Sequence, residues 1–322
     1  MPAPSVEPFS DAHLDVAGEL LAARHLRHRR VEPLLSARYE DPATARAEVE
    51  RVWRIEGASG TIARREEHVV GYLIGAPRPN PVWGENVWIE AAGHAVEVAE
   101  DVRDLYAVAA AAWVEEGRSQ HYVLVPASER VLLDAWWRLS FGQQHAHGIR
   151  EVPDSADVRV PDGFEIRGPR EEEVEQLIDV DLALPDHQQR SPVFSSLAVW
   201  SREESREEWL KTLADQEETI LIGARHGRPV AGWAYVPAER SSETRNLLGP
   251  DHAAFLGFAS TLPEFRGSGI GVALTEAGFA WAAQAGYEVM ITDWRVTNLL
   301  SSRFWPRRGF RPAFLRLYRS IP

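Results

Sequence analysis

Six residues, Arg266-Gly267-Ser268-Gly269-Ile270-Gly271, carry the clearest chemical signal in the chain. An apolar run ends at Leu262-Pro263, the glycine-rich turn follows, and apolar residues then recur with helical spacing at Val272, Leu274, Ala277, Phe279 and Trp281. Small residues at a helix start leave main-chain N–H groups bare at the positive end of the helix dipole, where a phosphate or diphosphate can bind. Arg266 adds a fixed positive charge at the mouth of that turn. The dinucleotide fingerprint Gly-x-Gly-x-x-Gly is not met, because its sixth position is Val272 counted from Gly267 and Leu274 counted from Gly269. The bland alternative is a turn that only reverses the chain.

The elements that must hold this turn belong to a chain of 322 residues, about two domain lengths. Hydrophobic residues make up 44% and charged residues 26%, enough apolar material for two cores. A net charge of -13 argues against nucleic-acid or anionic-membrane partners and permits a cationic amine. With no cysteine there is no disulfide, thiol nucleophile or Cys-ligated zinc. Lys211, in Leu210-Lys211-Thr212, does not make a P-loop. The first residues show no charged segment leading into an apolar one, and the most apolar stretch, 106–114, is too short to span a bilayer, so a cytoplasmic protein is expected.

The polar segment 150–163, with two prolines, reads as the join between two halves: domains over 1–150 and 163–322, with a linker over 151–162. Both halves read as α/β, with mixed sheets. The first offers strands near 6–9, 60–64, 69–76, 87–91 and 121–126, and helices over 11–28, 42–55, 102–116 and 129–139. The second repeats that order: strands over 164–167, 219–225, 230–237, 254–260, 288–293 and 310–319, and helices over 171–184, 202–213, 269–285 and 298–305, the last ended by Pro306. Trp113 before Gly117 matches Trp281 before Gly286, and Trp137 before Phe141 matches Trp305 before Gly309, both 168 residues apart (281 less 113, 305 less 137). Gly71-Tyr72 and Gly232-Trp233 stand 161 apart. This pattern reads as an internal duplication; two unrelated α+β domains are the alternative. His145-Ala146-His147 has no third ligand placed, so no metal is expected and the pair reads as surface histidines. The basic run from Arg24 to Arg30 reads as a solvated helix face.

The turn from Arg266 to Gly271 resembles the Gln/Arg-x-x-Gly-x-Gly/Ala signature of GNAT acetyltransferases, and Leu262-Pro263-Glu264-Phe265 resembles the usual approach to it. Asn298 and the following residues through Phe304-Trp305-Pro306-Arg307-Arg308-Gly309-Phe310 resemble the family's second motif, an Asn, a short helix and an aromatic-x-x-x-Gly-Phe ending. The two motifs occur in the family's order, and the resemblance covers roughly residues 219–319. It implies two tandem GNAT-like acyl-CoA N-acyltransferase domains. In the first, Glu97-Val98-Ala99-Glu100-Asp101 stands where a glycine loop belongs, so that copy reads as degenerate.

The resemblance implies acetyl-CoA as co-substrate and an amine, on a small molecule or a protein, as acceptor; a homodimer is left open. Main-chain N–H groups of Arg266, Gly267, Ser268, Gly269, Ile270 and Gly271 are expected on the diphosphate. The strand at Ala259, Ser260 and Thr261 is expected along the pantetheine arm, and Asn298, Ser301 and Trp305 face it. Asn298 doubles as a helix N-cap. Asp293 is the first candidate base, with a salt bridge to Arg295 as its alternative; Glu264 and His252 read as surface residues. Trp305 stands where many members place a Tyr and is not a useful acid. Tyr318, Ser301, Ser302 or water are the replacements. Arg303, Arg307 and Arg308 meet the 3′-phosphate or only solubilise a helix end. A non-catalytic acyl-CoA-binding protein, and aminoacyl transfer, are the competing readings.

Overall fold

The computed structural model describes residues 3–195, 200–215, 217–241 and 246–322. It divides into two compact units: Met1–His147 with Asn246–Leu248 and Pro312–Pro322, and Gly148–Arg245 with Gly249–Arg311.

The first unit contains β1 (Ser5–Pro8), α1 (Leu14–Val31), α2 (Pro42–Trp53), β2 (Ser59–Arg65), β3 (His68–Gly75), β4 (Asn86–Ile89), β5 (His94–Val96), α3 (Asp101–Glu115), β6 (Gln120–Pro126) and α4 (Arg130–Trp137). The strand β7 (Gly142–Glu151) belongs to it through His147 and to the second unit from Gly148. One sheet runs β1-β2-β3-β5, all antiparallel. In the other, β4 lies parallel to β6, and the chain's last strand, β13 (Arg311–Ser320), lies antiparallel to β6 from Phe314 opposite Pro126 to Ser320 opposite Gln120.

The second unit contains β8 (Phe164–Arg167), α5 (Val174–Gln189), α6 (Arg202–Ala214), β9 (Thr219–Arg225), β10 (Arg228–Pro237), β11 (Ala253–Thr261), α7 (Ile270–Gln284), β12 (Val289–Arg295) and α8 (Ser301–Arg307). Its sheet runs β12-β11-β10-β9-β8, with β11 and β12 parallel and the rest antiparallel. Val174, Leu177 and Ile178 of α5 bury with Trp209 of α6 against Ile220 and Ile222 of β9. On the other face α7 comes close because Gly223 makes room for Ile270 and Gly278 makes room for Tyr235, whose hydroxyl donates to the Leu274 carbonyl at 3.2 Å. That close seat fixes where the start of α7 stands. Among the described residues, no helix is long and apolar enough to cross a membrane.

The repeat between the halves is real at the level of hydrogen bonds. Helices α3 and α7 end in the same pair of bonds around Gly117 and Gly286, and α4 and α8 end in such a pair around Ser140 and Gly309. Both spacings are 169 residues (286 less 117, 309 less 140). Upstream the spacing is 160: the 3-10 turns Asp11–His13 and Glu171–Glu173 precede α1 and α5, and a bulge falls at Val70 in β3 and at Val230 in β10. Matching tryptophans therefore misplaces the register by one, and Trp305 corresponds to Trp136 rather than Trp137. The cause is that the cap, set by backbone geometry, fixes the register, while a Trp can bury from a neighbouring position.

Three expectations are corrected. His145 and His147 are buried on β7, a strand absent from the sequence reading, and Arg316 donates to His145 Nδ1. Arg24, His25 and His28 are buried as well, while Arg27 and Arg30 are exposed, so α1 presents only part of that run to solvent. Finally, α8 continues through Pro306 to Arg307. Bonds from Arg308 N–H to the Phe304 carbonyl at 3.2 Å and from Phe310 N–H to the Trp305 carbonyl at 3.2 Å close the helix around the missing donor.

Candidate active site

The start of α7 is built by alternation. Arg266 N–H donates to the Pro263 carbonyl at 3.2 Å, Ser268 N–H to the Phe265 carbonyl at 3.3 Å, and Ile270 N–H to Ser268 Oγ at 3.4 Å. Among the described residues, the intervening N–H groups of Gly267, Gly269 and Gly271 have no partner. Gly267 and Gly269 sit at φ 79° and 91°, a left-handed backbone that glycine adopts at no steric cost. Three bare N–H groups at the head of a 15-residue helix make a cradle for an anion.

Next to the cradle the sheet opens. β11 pairs with β12 only from Ala253 opposite Val289 to Leu256 opposite Thr292, and a bulge at Gly257 follows. Beyond it β11 keeps only β10. Leu262 N–H donates toward β10, to the Val230 carbonyl at 2.9 Å, so the two-residue period of a strand turns the main-chain groups of Ala259 and Thr261 toward the open side. Arg266 Nε donates there to the Thr261 carbonyl at 3.2 Å. Partial burial draws the Arg266 guanidinium below its ordinary range, with Asp186 and Glu264 acting against it.

Cradle and open edge border one cavity of about 380 Å³. Of the residues expected to hold the cofactor, Ala259, Ser260, Thr261, Arg266, Gly267, Gly269, Gly271, Asn298, Ser301 and Trp305 line it. Ser268 and Ile270 do not: the serine caps its own turn, and Ile270 is buried toward Gly223 of β9. Two buried polar atoms on the wall, Ser260 Oγ and Trp233 Nε1, lack a hydrogen-bond partner in the protein, which fits a ligand bearing amides and carbonyls. Asn298 Oδ1 accepts from the N–H groups of Leu300 at 3.1 Å and Ser301 at 3.4 Å, the expected capping role, and also faces His187 Nε2 at 3.2 Å. Trp305 stands edge-on to Phe304 and Phe310.

The acid–base candidates fare differently. Asp293, half-buried on β12, does not line the cavity. Tyr318 lies on β13 in the first unit, where its hydroxyl donates to Gln120 Oε1; a terminal strand was expected to stay with its own half, but β13 pairs with β6. Glu264 and His252 are exposed, and neither they nor Ser302, Arg303, Arg307 and Arg308 border the cavity. From the sequence, segments 185–196 and 238–250 read as loops lining the acceptor pocket. Residues 196 and 242–245 lie outside the described residues, whereas 185–189 belong to α5, and from that helix His187 lines the cavity. Leu184 of the same helix and Trp233 line it too, with no local pattern to mark them as site residues.

Residues 182–310 match the Acetyltransferase (GNAT) family. The fold resembles the crystal structure of a GCN5-related N-acetyltransferase from Sphaerobacter thermophilus, with a TM-score of 0.61 at 12% identity, over 98% of this chain and 95% of that one. It also resembles a tandem GNAT protein from the clavulanic acid biosynthesis pathway (TM-score 0.52, 13% identity, 99% of each chain). A third match is a GCN5-related glucosamine N-acetyltransferase region of a fungal multi-domain GH3 β-N-acetylglucosaminidase (TM-score 0.53, 15% identity, 99% of this chain and 38% of that one). No curated protein matches the chain by sequence. The second unit thus carries a GNAT-family region, and the whole chain has the fold of tandem GNAT proteins.

Proposed function

We propose that the second unit binds acetyl-CoA and transfers its acyl group to an amine, while the first unit binds none. The carrying observation is the row of unpartnered N–H groups at Gly267, Gly269 and Gly271, opening onto a cavity beside an unpaired strand edge. The cradle takes the diphosphate. The main-chain groups of Ala259 and Thr261, with Ser260 Oγ and Trp233 Nε1, take the amides of the pantetheine arm. A main-chain N–H on the same edge stabilises the oxygen that gains charge when the amine adds to the thioester. A thiolate, whose conjugate acid has a pKa of about 8.5, leaves near neutrality without a dedicated acid. That matters because no phenol or carboxylate lines the cavity among the described residues.

The same gap favours a second reading, an acyl-CoA-binding protein without turnover. Calorimetry of the full chain with acetyl-CoA, paired with CoA release over a panel of amines, separates the two. The absence of cysteine leaves a thiol-detecting assay with no protein background. Gly267→Asp and Gly267→Asn share the left-handed backbone and open surroundings but differ in charge. The Asp variant is expected to bind acetyl-CoA at least about tenfold more weakly than the Asn variant, since like charges within a few ångströms repel by a kilocalorie or more. Equal affinities would remove the diphosphate from this turn.

A further inference from the structure

We propose that His187 is the catalytic base of the second unit, taking the proton of the acceptor amine at Nδ1; this rests on the acyl-transfer reading above. His187 borders the cavity from α5. The other lining side chains are apolar, alcohol or amide groups and Arg266, whose guanidinium stays protonated, so among the described residues His187 alone can accept a proton at the cavity wall.

Its tautomer follows from the hydrogen bonds around Asn298. Two main-chain N–H groups, of Leu300 and Ser301, donate to one atom of the Asn298 amide, which identifies that atom as the oxygen. The same oxygen faces His187 Nε2 at 3.2 Å. Nε2 must therefore carry the hydrogen, and the neutral ring keeps its lone pair at Nδ1. Among the described residues nothing bonds to Nδ1. The flanking charges on α5, Asp186 and Arg190, pair with each other at 2.8 Å. Arg266 also borders the cavity.

In the step, the amine nitrogen adds to the thioester carbon and forms the N–C bond. The C–S bond breaks with its electron pair on sulfur. The proton released from nitrogen passes to Nδ1 and from there to the thiolate or solvent, and nothing is oxidised or reduced. Asn298, already the cap of α8, is the positioning residue that holds the ring.

The test uses the full chain with acetyl-CoA and the best acceptor of an amine panel, or water where no amine turns over. His187→Gln is expected to bind acetyl-CoA within about twofold of the unmodified protein and to lose about 100-fold in kcat, the range of a general base. His187→Ala is expected to lose as much and to recover at least part of it when imidazole is added, which a merely structural role would not produce. Long-range 1H–15N spectra, with the His187 signals assigned by their loss in the Gln variant, are expected to show hydrogen on Nε2. A kcat within threefold of the unmodified protein, a loss without imidazole rescue, or hydrogen on Nδ1 overturns the role of His187 alone. Failure of the unmodified protein to bind acetyl-CoA overturns the acyl-transfer reading, and this inference with it.

Discussion

The open strand edge beside the cavity exists in both units and is treated oppositely in each. In the second, Leu262 N–H bonds to the Val230 carbonyl, which leaves the groups of Ala259 facing open space. In the first, Glu97 N–H bonds to the Val70 carbonyl in the same register, so His94 stands where Ala259 does. There, Arg24 of α1 donates to the carbonyls of His94 and, at 2.6 Å, of Ala91. At the 160-residue spacing, the counterpart of Arg24 is Leu184, which lines the cavity of the second unit. The helix starts differ in the same sense. Before α3, the N–H groups of Asp101, Val102 and Arg103 bond to the carbonyls of Val98, Ala99 and Glu100, and the buried Asp101 carboxylate pairs with Arg65, one contact being 2.7 Å. Before α7 every second N–H is bare. One fold thus makes a filled copy and an open copy, and a guanidinium against two carbonyls does the filling.

Asp101→Ala removes the buried carboxylate that pairs with Arg65 at the head of α3. It is expected to lower the midpoint of denaturant unfolding and to leave acetyl-CoA affinity unchanged. A matching loss of affinity would show that the filled copy takes part in binding. Leu184→Arg transplants the plug into the open copy, and calorimetry is expected to show acetyl-CoA affinity at least 100-fold lower, about 2.7 kcal/mol. Undiminished binding would show that Leu184 and Arg24 are not counterparts.

A smaller effect comes from pH. Burial, with the neighbouring Arg24 guanidinium adding to it, holds His25 down to about 4 and His28 and His94 down to about 3. Below pH 6.5 or so the unfolded chain takes protons on these rings while the folded unit does not. Stability therefore falls as pH drops from there toward the folded values, by about 1.4 kcal/mol per pH unit for each ring. The second unit has no fully buried histidine among its described residues. Pulse proteolysis at pH 7 and pH 5.5 should show cleavage rising first within residues 1–147; uniform loss across both units would contradict the sign.

Much of this was legible in the chain. Nearly every helix and strand was placed by periodicity and punctuation, because glycine turns, proline stops and apolar alternation act within a few residues. β5 escaped because it is three residues long, and β7 because two of its buried residues, His145 and His147, are polar and hide its apolar signal. The cradle was found as a contiguous motif, but which of its N–H groups stay free was not, since that depends on the bonds made by Pro263, Phe265 and Ser268.

Local chemistry, then, was determined by sequence alone: a glycine-rich helix start, a capping asparagine, a first half without such a start, and the order of elements that relates the halves. Tertiary structure decided which distant groups meet. It took Tyr318 into the other unit through strand pairing, left Asp293 off the cavity wall, and brought His187 onto the oxygen of Asn298, 111 positions away along the chain. The physical reason is range. Caps, turns and periodicity are settled by neighbours along the chain, whereas a proton acceptor is defined by what faces it, and only packing of α5 against the rest of its unit sets that.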